Sequence, residues 1–279
     1  MAKAIKRQRK LNVPGTLVLV GAGKMGSALL AGWLRLGLNP RKVVVIEPQT
    51  SKGLIALKRR GARLNPGAKA IGPAAVIVLA IKPQTAPDVL PGLAPLIGAK
   101  TVVVSIMAGR TLKFLERGLP SAAIVRAMPN TPAAIGRGIT VACPNARVTT
   151  AQRALAHNLL SATGAVEWVN DETLMDAVTA VSGSGPAYVF LLAETLAQAG
   201  KAAGLPAALS EKLARATVAG SGELLHRSEL DAAILRANVT SPGGTTAAAL
   251  EVLMGPGGIE PLMTKAVIAA TKRGRDLAG

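Results

Sequence analysis

Short apolar runs alternate with amphipathic segments through the first 170 residues of the chain. The apolar runs predict strands at 16–20, 42–46, 75–80, 101–106, 123–128, 138–143 and 166–169. The segments between them predict helices at 24–36, 51–60 and 149–162, and a proline-interrupted helix at 85–97. Strands rich in Val, Ile and Ala that are separated by helices are typical of a parallel sheet covered on both faces. We therefore predict an α/β fold for this part of the chain.

The pattern changes after Asn170. Further segments are Ala-rich, helical and free of strand runs: 171–181, 186–204, 206–225, 246–253 and 259–277. Small residues let helices of this kind pack closely. We therefore predict a basic tail at 1–11, an α/β domain at 12–170 and an all-helical domain at 171–279.

Length and composition fit two domains rather than one. The chain has 279 residues, 49% of them hydrophobic, and a mean hydropathy of +0.37. No stretch offers the roughly 18 uninterrupted apolar residues of a membrane span, so we expect none. The apolar excess instead predicts a buried sheet and an extensive subunit interface. The single cysteine, Cys143, excludes an internal disulfide and is expected to be a buried thiol, which suits a reducing, cytoplasmic location.

A formal net charge of +18 raises nucleic acid as a partner. However, aromatic residues make up only 2% of the chain, which leaves few platforms for stacking bases. No helix-turn-helix or zinc-ligand pattern stands out, so we expect neither a nucleic-acid partner nor a metal. The basic tail lacks the apolar stretch of a secretory signal. We interpret the charge as a solvated surface whose field gathers anionic ligands.

A glycine-rich segment, Gly21-Ala22-Gly23-Lys24-Met25-Gly26, follows the first predicted strand and opens the first helix. This is G-x-G-x-x-G in the context that dinucleotide binding requires. The first glycine permits a tight turn, the second lets a pyrophosphate approach, and the third lets the helix pack on the strand. We therefore predict a Rossmann-type doubly wound sheet with cofactor contacts at Gly21, Gly23, Lys24, Met25 and Gly26.

The end of the second predicted strand carries Glu47, at about the spacing expected for a ribose-binding acid. A carboxylate there accepts hydrogen bonds from ribose hydroxyls, which favours NADH, and it repels the 2′-phosphate of NADPH. Polar residues at 49–52 follow at once and could still serve a phosphate. The sequence alone therefore leaves the cofactor as NADPH or NADH.

Three more strand ends map to the same edge of the predicted sheet. One is Ala80-Ile81-Lys82-Pro83; the second, 105–109, has small residues that leave room for a flat nicotinamide; and the third, 126–132, is stiffened by two prolines. Strand ends at this edge face the cofactor crevice. The cofactor contacts that we predict here are Ala80, Lys82, Pro83, Met107, Ala108 and Asn130.

Two turns in the later part of the chain lead into helices. One includes Ser182, and the other is Ser241-Pro242-Gly243-Gly244-Thr245-Thr246. Hydroxyls, unpaired backbone N–H groups and the positive end of a helix dipole together can hold a small anion such as a carboxylate. Because the second turn lies far from the glycine-rich segment, we predict that it binds substrate.

Taken together, these motifs resemble the pyrroline-5-carboxylate reductase family. The matching segments are 21–26, 80–83, 126–132, 182–188 and 238–246, which occur in the family's order and span nearly the whole chain after the tail. The resemblance implies a Rossmann domain followed by an all-α substrate-binding and dimerisation domain. It implies reduction of 1-pyrroline-5-carboxylate to L-proline, the last step of proline biosynthesis, by a homodimer that is often assembled as a pentamer of dimers.

The resemblance also implies roles for individual residues. It places the substrate carboxylate on Ser241, Gly243, Gly244, Thr245 and Thr246, with Thr246 as the catalytic residue that hydrogen-bonds the ring nitrogen. Ser182 and Glu229 fall beside the substrate, and Asn238 reaches the cofactor of the partner subunit. Two departures stand out: members that prefer NADP often have a neutral polar residue in place of Glu47, and the basic tail has no counterpart in the family.

The chemistry fits the absence of a strong proton donor near these motifs. The only histidines, His157 and His226, fall in predicted helices away from the motifs. A cyclic imine that arrives protonated needs orientation and a hydride rather than an acid.

Two other functions compete with this one. One is a related imine dehydrogenase or β-hydroxyacid dehydrogenase. The latter would carry a lysine on the long helix at 186–204, where Lys201 stands only near the end. The other alternative is a cofactor-sensing binding protein, linked to RNA through the tail.

Overall fold

The structure, a computed structural model, describes residues 10–278. Within these residues one sheet contains β1 (Leu17–Val20), β2 (Val43–Ile46), β3 (Arg63–Leu64), β4 (Val76–Leu79), β5 (Val102–Ser105), β6 (Ala123–Met128), β7 (Gly138–Pro144) and β8 (Gly164–Trp168). The strand order is β3-β2-β1-β4-β5-β6-β7-β8. The order reverses between β1 and β4, which is where a doubly wound sheet forms its ligand crevice. The predicted Rossmann-type fold is therefore confirmed.

Helices cover both faces of this sheet. They are α1 (Lys24–Arg35), α2 (Lys52–Arg59), α3 (Ala68–Ile71), α4 (Ala86–Leu93), α5 (Leu112–Gly118), α6 (Thr150–Leu160) and α7 (Met175–Val178). One hydrophobic cluster packs α1 and α6 on one face, and a second cluster packs α4 and α5 on the other. On the first face, Trp33 connects α1 to α6, because its indole N–H donates to the carbonyl oxygen of Leu159 at 2.9 Å.

One pair of strands differs from the prediction. All neighbouring strands are parallel except β6 and β7, which are antiparallel, so the predicted parallel pairing holds for every pair but this one. The link between them holds only a 3-10 turn at Thr131–Ile135. A parallel connection needs a crossover of a dozen or more residues, and this link is shorter.

The sequence pattern also missed short elements. β3 is a two-residue strand, too short to show alternation. α5 was not predicted, although Thr111 caps it by accepting a hydrogen bond from the N–H of Phe114. The expected helix at 85–97 is a short α4 flanked by 3-10 turns at Pro83–Thr85 and Ala94–Leu96, because prolines interrupt it.

The described residues form two compact units. The first comprises residues up to Gly183 together with those from Lys272 onward, and the second comprises Ser184–Thr271. Packing therefore divides the chain at a later point than the change of sequence pattern near residue 170. The helices from there to the end are α8 (Gly185–Ala202), α9 (Ala207–Arg227), α10 (Ala232–Asn238), α11 (Thr245–Leu253) and α12 (Ile259–Ala278). Of these, α10 was not predicted.

The second unit is helical and displays much apolar surface. Its α8 and α9 pack closely at Gly200, and the hydroxyl of Ser210 donates to the carbonyl oxygen of Ala197 at 2.6 Å. Large apolar side chains stay exposed, such as Phe190 at 68% and Val252 at 75%. Exposed apolar surface on this scale is typical of an interaction site. None of the described helices combines the length and apolar character that a bilayer crossing requires.

Candidate functional site

The glycine-rich segment forms the turn between β1 and α1. Gly21 has a φ of +91°, and a Cβ at this position would lie 2.5 Å from the carbonyl oxygen of Ala80. A Cβ at Gly26 would collide with the carbonyl oxygen of Gly21. Both positions therefore need glycine, the first for its backbone conformation and the second for contact between helix and turn.

The start of α1 offers unpaired backbone donors. The first intrahelical bond runs from the N–H of Ser27 to the carbonyl oxygen of Gly23 at 2.8 Å, so the N–H groups of Lys24, Met25 and Gly26 precede the ladder. No side chain caps the helix and no acid lies in its first turn. A Cβ built on Gly23 meets nothing within 4 Å. Open space before unpaired N–H groups is what a pyrophosphate requires.

Glu47 lies directly after β2 and reaches back to this turn. Its Oε2 accepts the N–H of Ala22 at 2.7 Å, and its Oε1 accepts the N–H of Gln49 at 3.0 Å. The half-buried carboxylate thus sits against the glycine-rich turn, at the end of the strand beside β1. This is the place at which the sequence predicted a ribose-binding acid.

The loops after β4 and β5 are held together at this edge by Arg110, which the sequence analysis did not predict as a functional residue. The N–H of Arg110 Nε donates to the carbonyl oxygen of Pro83 at 3.0 Å. The guanidinium carbon also lies 4.4 Å from the ring centroid of Phe114. The spacing of four between an arginine and a phenylalanine at a helix start was the only sequence signal for this contact. Lys82 itself is exposed, whereas Ala80 and Pro83 are half-buried.

The other predicted cofactor residues of the first unit differ in exposure. Met107 is only 2% exposed and its side chain packs in the core, so only its backbone is left to face a ligand. Ala108 is exposed. The side-chain oxygen of Asn130 accepts the N–H of Ile139 at 3.0 Å, which closes the link between β6 and β7.

A buried charge cluster lies beneath this edge and was also missed. Arg126 on β6 is 4% exposed and pairs with Glu172 at 2.8 Å and with Asp176 at 3.8 Å. Glu172 also accepts the N–H of Leu112 at 2.7 Å, which ties in the start of α5. Burial raises the pKa of the neighbouring Cys143 thiol, and Glu172 raises it further, while Arg126 opposes them. The expected buried thiol is confirmed.

Ser182 is the predicted substrate residue that belongs to the first unit. It lies in a π-helix at Thr179–Gly183, and its hydroxyl oxygen is buried with no hydrogen-bond partner among the described residues. Single turns of π-helix are frequent at functional sites, and a buried hydroxyl without a partner calls for a ligand or a water.

The predicted carboxylate turn lies within the second unit, at the start of α11. Gly243 has a φ of +68° and Gly244 precedes the helix without a side-chain cap. The first helical bond runs from the N–H of Ala248 to the carbonyl oxygen of Gly244 at 3.2 Å, so the N–H groups of Thr245 and Thr246 come before the ladder. No acid lies in the first turn. The turn therefore has the same donor arrangement as the start of α1.

The remaining predicted residues also fall in the second unit. Ser241 accepts the N–H of Gly244 through its backbone oxygen at 3.0 Å, which shapes the turn. Asn238 is the last residue of α10 and is exposed. Glu229 is exposed in the connection between α9 and α10.

Comparisons with known proteins match both parts of the chain. A family model described as pyrroline-5-carboxylate reductase dimerisation matches residues 172–277. A model described as NADP oxidoreductase, coenzyme F420-dependent, matches residues 16–109. Residues 172–277 are therefore an all-α dimerisation domain, and the protein is a homo-oligomer.

Individual relatives cover nearly the whole chain. A pyrroline-5-carboxylate reductase of Synechocystis is 42% identical over 94% of this chain and 97% of its own length. The structure of the Coxiella burnetii enzyme of that name matches with a TM-score of 0.88 and 33% identity, over 96% of this chain and all of its own. The Plasmodium falciparum enzyme, a pyrroline carboxylate reductase with NADP bound, matches with a TM-score of 0.80 and 29% identity, over 96% of this chain and 99% of its own.

The geometry of the glycine-rich turn predicts the effect of Gly26→Ala. The added Cβ would push α1 away from the turn and misplace its unpaired N–H groups. We expect the Kd values for both NADH and NADPH to rise at least about tenfold, measured by nicotinamide fluorescence. Gly53→Ala is the control, because its Cβ would meet only the Ser51 hydroxyl, at 3.8 Å, and should leave both constants unchanged. Unchanged binding in Gly26→Ala would contradict the assignment.

Proposed function

We propose that this chain, which belongs to the pyrroline-5-carboxylate reductase family, reduces 1-pyrroline-5-carboxylate to L-proline with a hydride from NADH or NADPH. The observation that carries the proposal is the start of α11, where unpaired N–H groups and two threonines follow an open glycine turn. This arrangement suits a small carboxylate. The start of α1 suits the pyrophosphate of the cofactor by the same chemistry.

The residues of the chain supply binding and orientation in this reaction. The N–H groups at the start of α11 hold the substrate carboxylate, together with Ser241 and the glycines of the turn. The Thr246 hydroxyl holds the ring nitrogen, and it makes no other hydrogen bond among the described residues. The bound cofactor supplies the hydride for the imine carbon. Orientation of this kind lowers the activation barrier, because the reacting groups no longer have to find the right geometry by chance.

No histidine is needed in this scheme. His157 is engaged elsewhere, because its Nδ1 accepts the indole N–H of Trp168 at 3.2 Å. Lys201, the residue that a β-hydroxyacid dehydrogenase would use, instead pairs with Glu211 at 2.7 Å at the exposed end of α8. The protonated imine is the electrophile, and the product nitrogen accepts a hydrogen bond from Thr246.

The assembly that we propose is a homodimer, with five dimers forming a decamer. The exposed apolar side chains of the helical unit support an interface there. In this dimer Glu229 lies beside the substrate, and Asn238 reaches the cofactor bound by the other subunit. We also propose a cytoplasmic location, which the free, buried Cys143 supports.

The direct test is turnover. Purified protein should oxidise NADH or NADPH only when 1-pyrroline-5-carboxylate is added, with L-proline as the product. Absorbance at the nicotinamide band measures cofactor oxidation, and product analysis measures the L-proline formed. No oxidation with either cofactor in the presence of the imine would refute the proposal.

The role of Thr246 predicts a selective defect in Thr246→Ala. Loss of the hydroxyl should lower kcat/KM for the imine about 10- to 100-fold, while the Kd for the cofactor changes less than about twofold. Steady-state kinetics and fluorescence titration measure these. Thr195→Ala is the matched control, since that exposed hydroxyl donates only to backbone carbonyl oxygens of its own helix α8, those of Leu191 and Leu192. Wild-type kinetics in Thr246→Ala would remove the residue from the mechanism.

The position of Glu47 leads to a prediction about the preference between NADH and NADPH. We propose that its carboxylate favours NADH, because it accepts ribose hydroxyls and repels a 2′-phosphate. Glu47→Ala should shift the ratio of kcat/KM for NADH over NADPH toward NADPH by about tenfold. Parallel assays with both cofactors give the ratio. If the ratio stays at its wild-type value, Glu47 is not the selector.

A further inference from the structure

Asn65 has an unusual backbone conformation and an unusual set of partners. It directly follows β3 and has a φ of 47°, the only positive value outside glycine in the part of the chain that the structure describes. Its backbone N–H donates to the carbonyl oxygen of Val45 at 2.9 Å. Its side-chain oxygen accepts the N–H of Glu47 at 2.8 Å, and its side-chain nitrogen donates to the carbonyl oxygen of Glu47 at 2.9 Å.

This side chain continues the β2–β3 ladder beyond the end of β3. In a regular parallel pair, the backbone carbonyl of residue 65 would accept the N–H of Glu47, and the N–H two residues later would donate back. A side-chain amide carries the same donor and acceptor as a peptide group, so it can replace both. The left-handed conformation of Asn65 turns the backbone out of the sheet before Pro66. Asparagine tolerates the left-handed conformation that this exit requires.

Through Glu47, the Asn65 side chain is connected to the edge of the sheet at which we propose that the cofactor binds. The Glu47 backbone lies one residue beyond β2. On the β1 side, the peptide between Ile46 and Glu47 is held by the N–H of Gly21, which donates to the carbonyl oxygen of Ile46 at 2.9 Å. On the β3 side, the structure gives it only the Asn65 side chain as a partner among the described residues. The two bonds from Asn65 hold that backbone, and the carboxylate then bonds to the N–H groups of Ala22 and Gln49. A continuous set of hydrogen bonds therefore links the end of β3 to the glycine-rich turn.

We propose that Asn65 is a positioning residue that sets the preference between NADH and NADPH. By fixing the Glu47 backbone, it keeps the carboxylate against the turn and prevents it from swinging aside to admit a 2′-phosphate. The inference rests on the proposed function only in that the chain binds both nicotinamide cofactors. It does not depend on which substrate is reduced.

The test compares cofactor binding in Asn65→Gly and Asn65→Asp with the wild type. Glycine keeps the left-handed conformation but removes both side-chain bonds. Aspartate keeps the acceptor and replaces the donor with an oxygen that faces the carbonyl of Glu47. Fluorescence titration should show the ratio of the NADPH Kd to the NADH Kd falling about tenfold in Asn65→Gly and by a smaller factor in Asn65→Asp. The KM for the imine should stay within about twofold of the wild-type value.

A control and a double variant separate this role from a structural one. Asn39 precedes the other end of β2, and its side-chain oxygen accepts the N–H of Arg41 at 3.0 Å. Asn39→Gly therefore loses a comparable bond and should leave the ratio unchanged. In a Glu47→Ala background, Asn65→Gly should produce no further shift.

Each outcome supports or overturns the proposed role of Asn65. An unchanged ratio in folded Asn65→Gly overturns the proposal, and so does an equal shift in the Glu47→Ala background. If Asn65→Gly fails to fold by circular dichroism, Asn65→Asp carries the same test. Wild-type protein that binds both cofactors but does not reduce the imine would refute the proposed function and leave this inference standing. Wild-type protein that binds neither cofactor would overturn both.

Discussion

Parallel hydrogen bonding aligns the carboxyl ends of five neighbouring strands, β2, β1, β4, β5 and β6, at one edge of the sheet. Every cofactor contact that we propose in the first unit follows from this alignment. It brings the glycine-rich turn, Glu47 and the loops after β4, β5 and β6 to one edge, although they come from distant parts of the chain. Because the strands are buried on both faces, a slip in their register would move a strand's side chains to the opposite cluster, so the edge is fixed by the core.

The two ligand sites that we propose, at the starts of α1 and α11, use the same physical feature. α1 and α11 each begin after a glycine, without a capping side chain and without an acid in the first turn. At α2, α5 and α6, by contrast, a Ser or Thr side chain satisfies one of these donors. Leaving them unsatisfied costs stability locally, and an anion restores the missing bonds. In this proposal, specificity comes from the side chains beside each helix start. These are a strand-end carboxylate at one site and threonine hydroxyls at the other.

The sequence indicates the strands and the glycine-rich turn, but not the contacts that support them. Apolar runs and the G-x-G-x-x-G spacing are local signals, and they located the strands and the first turn. The direction of β7 depended on the length of a link, which periodicity does not reveal. Arg126 and Glu172 are 46 residues apart, and nothing local pairs them. Asn65 could be recognised as a turn residue before a proline, but its bonds to Glu47 exist only once β3 lies beside β2.

The helical unit has a further consequence for how the protein holds together. Among its described residues, only Ala197, Ser210 and Ala214 are buried, and all three are small. So small a core offsets little of the conformational entropy that ordered helices lose. The exposed apolar side chains of this unit are therefore covered when subunits associate. Folding of residues 184–271 is then coupled to subunit association, and the midpoint of thermal unfolding rises with protein concentration.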